Sequence, residues 1–517
     1  MKLFGNVAVA LVGYIFSMFV CFRGHLLGGD LQAMVDFLDG QLILSCFEHW
    51  YMAFSGDVLW NAPLFFYPQQ DVLGYTDTFF LNGVVYSIFR VFGWEPVMAM
   101  HGSLFVYASL GYFSFLFLLL RIGVGLRVAA AASILFICGA PIQTIILNSH
   151  LQLLSIWLVP AIVLLAEFGR SSAQENRLKR ATFFWAGAFF VYALLTFSTF
   201  YIGWFVLFVA SWCFVVWVLL NKSRFGELLK RFWELKRYLF IAGSSVLPIL
   251  GVFIYVYLPA YNMSGGRSFM SALATLPDWT SFGSMNRYNA FWFEKLKVPV
   301  SFPEPSLQNE LYYGFPWFFL ITFIVLFLLA LKNRNEPHKR FMLWAGIAVF
   351  SLSLVMARFG DYSLWAIVMK VVPGADGIRA VFRLNTILYV IALASVAKYL
   401  SVLIDRKFNI GFRILTLLLC LLLFAENWMI EKHFRLQLQS EEWVMKGIDP
   451  PPYPIDAFWG YRSIDPNTSI LPKELLSLEG HMMALRLAQT LGVPTINGNS
   501  GMLPDGWHLK EIAFYDE

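Results

Sequence analysis

Cysteine is nearly absent. The 517 residues hold 5, with no CxxC pair among them. Cys21, Cys138, Cys213 and Cys420 lie within or at the ends of apolar runs, and only Cys46 lies elsewhere. That excludes a disulfide framework. Charge is also scarce, at 14% of residues, against about 25% in a soluble domain, so much of the surface has to face lipid. The sequence has no internal repeat, low-complexity tract, zinc-binding spacing, nucleophile elbow, Cys–His pairing or glycine-rich phosphate loop. A cytoplasmic nucleotide-sugar or ATP site therefore has no home in this chain, and hydrolysis through an enzyme nucleophile has no support. The net charge of +5 comes from basic residues in short loops and implies no nucleic-acid partner.

What is present is hydrophobic. Apolar residues make up 58% of the chain and aromatic residues 18%, with a mean hydropathy of +0.63. This is the composition of an all-α polytopic membrane protein. Apolar runs long enough to cross a bilayer recur near 3–22, 96–120, 128–147, 152–168, 182–197, 201–220, 239–258, 313–331, 342–357, 384–403 and 414–430, which predicts about eleven transmembrane helices. The run between 182 and 220 is split at Ser198-Thr199, and a further short apolar piece covers 79–92. The first run is about 20 residues, longer than a signal-peptide core, and no small-x-small cleavage site precedes Arg23. It is read as an uncleaved span.

Four basic clusters predict the orientation: Arg170 with Arg177, Lys179 and Arg180; Lys222, Arg224, Lys230, Arg231, Lys236 and Arg237; Lys332, Arg334, Lys339 and Arg340; and Arg406, Lys407 and Arg413. With these spans all four fall on one side, which the positive-inside rule makes cytoplasmic. The N-terminus is then cytoplasmic. The first loop 23–95, a second large loop 259–311, the 358–383 segment and the C-terminal region 431–517 are extracytoplasmic, and the transmembrane domain covers 1–430. The C-terminal region is too polar to span. It carries a stiff Pro450-Pro451-Pro452-Tyr453-Pro454, one helix-like stretch at 472–491 and a Gly- and Asn-rich loop at 496–501.

The first loop concentrates acid: Asp30, Asp36, Asp39, Glu48, Asp57, Asp71 and Asp77. Carboxylates at a membrane surface carry a functional presumption, because keeping them ionised near lipid is costly. Residues 40–55 predict a surface helix with Gln41, Ser45 and Glu48 on one polar stripe, the stripe facing a cavity. Asp39 precedes it and serves either as a helix cap or as a general base; Asp36 lies one turn earlier. Glu48 and His49 sit at the interface or line the cavity. Asp77 caps the following short helix or lines the same cavity. His150, in a tight outer turn, is a structural hydrogen-bonder or a cavity residue. Arg379 and Arg383 are four apart, stacked on one helical face with Asp376 beside them, and suit a phosphate or pyrophosphate. The alternative is pairing with Asp376 or with lipid headgroups. Arg267 is a third phosphate candidate.

This layout resembles the GT-C superfamily of integral-membrane glycosyltransferases, and within it an uncharacterised bacterial branch. The elements that carry the likeness are Asp39, Glu48-His49, Phe65-Phe66-Tyr67-Pro68, Thr76-Asp77, Ser149-His150-Leu151-Gln152, the Arg379/Arg383 segment and the terminal Ile496-Asn497-Gly498-Asn499-Ser500-Gly501. The branch often has an Arg two residues after its first Asp, where this chain has Gln41, so Asp36 stands as the alternative base. The resemblance implies a transferase of the bacterial inner membrane. It would move a sugar from a polyprenyl-phosphate-linked donor to a glycan, lipid or protein acceptor on the outer face. Asp39 or Asp36 would be the base, Arg379 and Arg383 (with Arg267) would bind phosphate, and Glu48, His49, Asp77 and His150 would lie around the acceptor. A divalent metal is compatible with the carboxylates, although no metal motif is present. The competing readings are a transporter or flippase, or a non-catalytic accessory protein, for lipid-linked envelope glycans. Against transport, the chain lacks the repeated halves common in transporters.

Overall fold

The computed structural model describes residues 2–28, 39–286, 288–296, 308–332, 336–405, 410–429, 455–458, 473–498, 504 and 507. These residues are built of helices joined by short turns, with isolated bridges and no β-strand among them. In chain order the first helices are α1 (Lys2–Gly28), α2 (Asp39–Ser55), α3 (Phe80–Val91), α4 (Pro96–Arg121), α5 (Leu126–Cys138) and α6 (Ala140–Leu147). They are followed by α7 (Val159–Gln174), α8 (Leu178–Ser198), α9 (Phe200–Leu220), α10 (Lys222–Gly243), α11 (Leu247–Ser264) and α12 (Phe269–Leu273). The last six are α13 (Trp317–Lys332), α14 (Pro337–Met356), α15 (Trp365–Val371), α16 (Asn385–Asp405), α17 (Ile410–Ala425) and α18 (Lys473–Leu491).

Among the described residues, nine helical segments are long and apolar enough to cross a membrane: Gly5–Arg23, Pro96–Arg121, Leu126–Leu147, Leu151–Gln174, Leu178–Ser198, Phe200–Leu220, Lys222–Met263, Pro337–Met356 and Val381–Ile404. The chain is a polytopic helical membrane protein. The other two of the eleven expected spans fall on α13 and α17, each of 16 residues. That length rises about 24 Å, short of a hydrocarbon core of about 30 Å.

The break at Ser198-Thr199 is real and has a purpose. Thr199 is extended, at φ −142° and ψ 97°. The opening frees the Ser198 carbonyl to accept the Phe79 amide at 2.8 Å, and the Ser198 hydroxyl takes the Leu81 amide at 3.1 Å. The first loop is thereby fastened into the gap between two spans. Thr78 adds to this anchor: its hydroxyl donates to the Phe197 carbonyl at 2.6 Å, and its carbonyl accepts from the Trp50 indole at 2.6 Å.

α2 has most of its girth covered by protein. Its residues Gly40 to Trp50 are all buried, held between α3 on one side and α18 on the other. Gly83 of α3 allows the first contact, since a Cβ there would stand 2.5 Å from Trp50. α18 agrees with the predicted helix to within a residue. Its Gln489 side chain donates to the Ser45 carbonyl at 2.5 Å. Beyond α18 the chain pairs with the first loop: the Phe66 amide donates to Asn497 at 2.9 Å, Tyr67 to Thr495 at 3.0 Å, and Thr495 to Leu64 at 3.0 Å. The Phe65–Pro68 and Ile496–Gly498 motifs, more than 400 residues apart, thus meet as neighbouring backbones.

The helices also separate two ends of the molecule. α9 and α16 both start beside the polar cavity described below. α9 ends at Leu220, two residues before Lys222. Toward the far end of α16, the Lys398 ammonium donates to the Gly123 carbonyl at 2.9 Å. In the same turn region Arg121 meets Glu167 of α7 at 3.6 Å. Lys222, Lys398 and Arg121 thus lie toward the end away from the cavity.

Candidate functional site

A cavity of about 700 Å³ lies where the start of α2, the 74–79 segment, the start of α9, the last turns of α11 and the 369–383 segment converge. Its polar lining includes Asp39, Asp77, Gln152, Arg267, Asp376, Arg379 and Arg383; its apolar wall comes from Phe253, Ile254, Leu258, Met369, Val371 and Val372. Ile254, Leu258 and Val371 are among the exposed large hydrophobic residues, as a wall that meets lipid requires. Gly74 brings the backbone this close to α11: a Cβ there would sit 2.1 Å from the Val256 carbonyl oxygen.

Asp39, at the first position of α2, keeps 46% of its side chain exposed, and its Oδ2 stands 3.6 Å from the Nε2 of His150. Asp77 accepts the backbone N–H of Phe200 at 2.8 Å. It therefore serves the first turn of α9, across 123 residues, and not the short helix that follows it in sequence. Burial pushes the Asp77 carboxyl up to about 6, against the opposing pull of the Phe200 amide and of Arg383. Two carboxylates with different environments share one cavity, a pattern that distinguishes an acid or base from a purely electrostatic partner.

Arg383 does not stack on Arg379 along a helix. Residues 375–384 form two short 3-10 turns, Ala375–Gly377 and Val381–Leu384, and α16 begins only at Asn385. The physical reason is that other side chains and turns occupy this backbone. The Arg379 amide donates to the Tyr201 hydroxyl at 2.9 Å, the Thr275 hydroxyl caps the Arg379 carbonyl, and Gly374 turns the chain at φ 76°. Both arginines instead approach Glu310. Arg383 makes a two-pronged pair with it, Nε–Oε2 2.8 Å and Nη2–Oε1 2.5 Å, while Arg379 stands 4.0 Å away with half of its side chain exposed. Asp376 accepts the Tyr261 hydroxyl at 2.6 Å, and its backbone carbonyl accepts the Arg267 amide at 2.9 Å.

His150 is locked into this network. Its Nε2 lies 3.0 Å from Arg383 Nη2, and its Nδ1 lies 2.6 Å from the Tyr313 hydroxyl. Arg383 can only donate, so Nε2 accepts and the imidazole is neutral. Burial first, and then the Arg383 charge, lower its pKa to about 3. Glu310 goes the other way. Burial is the largest single influence and raises its carboxyl, but the Arg383 guanidinium, by charge and hydrogen bond, and Arg379 outweigh that and hold it down at about 2.

The remaining candidates lie elsewhere. The polar stripe of α2 faces protein, not the cavity. Glu48 is clamped by Arg90, Nη2–Oε1 2.9 Å and Nε–Oε2 3.0 Å, and by the Tyr86 hydroxyl. His49 lies 2.9 Å from the Trp60 carbonyl through Nε2, and burial lowers its pKa to about 4. Neither residue lines the cavity. The reason is geometric: at 100° per residue, a helix that turns Asp39, Leu42 and Ile43 toward the cavity turns Glu48 away. Asp36 lies outside the described residues. Among the described residues no group of three or more His, Cys, Asp or Glu converges to hold a metal, so no step below is routed through one.

Glu310 and Tyr313 were not legible as site residues in sequence. Their signal, one acid beside two tyrosines in Gln308–Leu311 and the two residues after it, is too common to single out. No family model matches the chain, and no curated protein sequence matches it.

Proposed function

We propose that the protein is a glycosyltransferase of GT-C type, acting on a sugar carried by a polyprenyl phosphate. The observation that carries this reading is a single cavity with carboxylates and guanidiniums at one end and an exposed apolar wall along its side. The lipid tail lies along Ile254, Leu258 and Val371. The phosphate sits with Arg379 and Arg267, because Arg383 is already committed to Glu310. Arg383 instead supplies a fixed positive field and holds His150 neutral.

In the reaction, the acceptor hydroxyl oxygen attacks the anomeric carbon as the bond from that carbon to the phosphate oxygen breaks. The polyprenyl phosphate leaves with the bonding electron pair, and the hydroxyl proton passes to Asp39, giving inversion. Asp39 is the better base on access, with nearly half of its side chain open to the cavity. Asp77, enclosed and committed to Phe200, orients the acceptor. A positioned base of this kind contributes roughly 10²–10⁴-fold. The basic end is cytoplasmic in this reading and the cavity faces the outer side of the bacterial inner membrane.

The test is transfer from radiolabelled polyprenyl-phosphate sugars by protein in proteoliposomes, wild type beside Asp39→Asn and Asp77→Asn. Transfer abolished in Asp39→Asn with donor binding kept supports the assignment. Transfer unchanged in both variants removes the mechanism. Donor bound and moved across the bilayer without transfer turns the reading to a transporter.

A further inference from the structure

The end of the molecule away from the cavity carries a helix that the transferase reading does not use. α10 holds six basic residues, Lys222, Arg224, Lys230, Arg231, Lys236 and Arg237, against two acids, Glu227 and Glu234. Of its 22 residues only Ala242 is buried. Eight charges between residues 222 and 237 bar that stretch from the hydrocarbon, yet it is bound to the bilayer at both ends. One residue, Asn221, joins it to the span α9, and a single 3-10 turn, Ser244–Val246, joins it to α11.

Its surface is divided. Laid out at 100° per residue, Leu229, Phe232, Trp233 and Phe240 fall within one arc of about 100°. All four are exposed, at 44%, 53%, 63% and 79%. Lys236 and Lys222 fall in that arc and Arg237 and Lys230 flank it, and the Lys236 ammonium lies 4.4 Å from the centre of the Trp233 ring. Glu227, Glu234 and Arg231 take the opposite side. Bare aromatic side chains edged by ammonium and guanidinium groups, on a helix tethered to a membrane boundary, match a leaflet whose headgroups are anionic. The apolar ridge enters the acyl boundary and the cations meet phosphate.

We infer that α10 is a binding surface for anionic phospholipid, with Leu229, Phe232, Trp233 and Phe240 inserted at headgroup depth and Lys222, Lys230, Lys236 and Arg237 holding lipid phosphates. This does not rest on the transferase reading. The surface belongs to the end opposite the cavity and uses none of its residues.

The test places a spin label on the full-length protein in nanodiscs, at Leu229→Cys or Phe240→Cys on the ridge and at Glu227→Cys on the polar side. The unsubstituted protein reports background labelling of native thiols. Access of each label to oxygen and to a water-soluble nickel chelate gives its depth. In nanodiscs containing phosphatidylglycerol the two ridge labels are expected to shift toward oxygen access while the Glu227 label stays in water. The ridge shift should shrink in pure phosphatidylcholine, and also when Lys230→Glu and Arg237→Glu are added. These charge reversals are on exposed positions, so folding is retained and the readout stays interpretable. Ridge labels that remain in water with phosphatidylglycerol overturn the proposal. So does a depth that ignores both lipid charge and charge reversal, since the ridge is then held by apolar contact alone. Ridge labels immobilised and inaccessible to both reagents overturn it too, in favour of a protein partner.

Discussion

The two ends of α2 carry acidic residues in opposite circumstances. At its start Asp39 is nearly half exposed to a cavity, with a neutral imidazole 3.6 Å away. Nine residues on, Glu48 is enclosed and clamped by Arg90 and Tyr86. The first arrangement opens part of the carboxylate to the cavity; the second encloses it within the fold. Acid in a loop of a membrane protein is therefore not one signal but two. A carboxylate with its own guanidinium holds elements together, and a carboxylate at a cavity mouth is open to whatever enters it. The arginines divide the same way, Arg383 committed to Glu310 and Arg379 half open.

The comparison breaks most decisively through activity. Asp39→Asn is expected to lower transfer by about 10²-fold or more while shifting the thermal midpoint little, whereas Glu48→Gln leaves the chemistry in place in whatever protein stays folded. Equal loss of transfer per folded molecule in the two variants would erase the distinction. Stability runs in the reverse order. Glu48→Ala leaves Arg90 without its carboxylate and is expected to destabilise by about 3 kcal/mol, read as a lower midpoint in a thermal melt in detergent; Glu310→Gln, which removes the countercharge of Arg383, should fall in the same range. Gly74→Ala pushes a methyl group into the Val256 carbonyl and is expected to cost about 1–3 kcal/mol, with the cavity reshaped and donor affinity reduced. A neutral effect would mean that the 72–75 turn and α11 can separate. The smallest stability effect is that of Arg379→Gln, within about 0.5 kcal/mol, paired with weaker donor binding.

Acidity sharpens the comparison further, because Glu310, paired with Arg383, and Asp77, in the cavity lining, are shifted in opposite directions. Glu310 is held at about 2, below its unfolded value. Its contribution is present above the unfolded pKa and is lost as pH falls from there through about 2. Asp77 is raised to about 6, so the unfolded chain ionises more easily than the folded one. Its burial destabilises above about 6, and that cost is relieved as pH falls through about 6 toward the unfolded value. Asp77→Asn should therefore flatten the pH dependence of stability near 6 and leave the acid limb below the unfolded carboxylate pKa unchanged. An unchanged profile near 6 would show that Asp77 is not enclosed as described.

How much was legible in sequence depended on range. The many apolar spans, the break at Ser198-Thr199 and the helix at 473–491 follow from local hydropathy and propensity; nine of the eleven expected spans coincide with segments long and apolar enough to cross a membrane. That Asp39, Asp77, Arg267 and Arg379 share a cavity could be proposed from one-sided topology but not located. The orientation of α2 was misjudged because an amphipathic stripe states which faces differ, not what covers each face. Glu48 looked available only because Arg90, 42 residues away, was not seen to reach it. Spacing places Arg379 and Arg383 on one helix because it cannot show that Tyr201 and Thr275 bond the backbone of Arg379.

The sequence by itself determined that this is a helical membrane protein with many spans. Those properties follow from composition and from the cost of placing charge in lipid, which act on each segment separately. Only the tertiary structure decided which carboxylates are consumed by guanidiniums and which face the cavity, and that residues 64–67 and 495–497 join. Those outcomes depend on distances between residues tens to hundreds of positions apart, set when helices with no mutual sequence signal pack against one another.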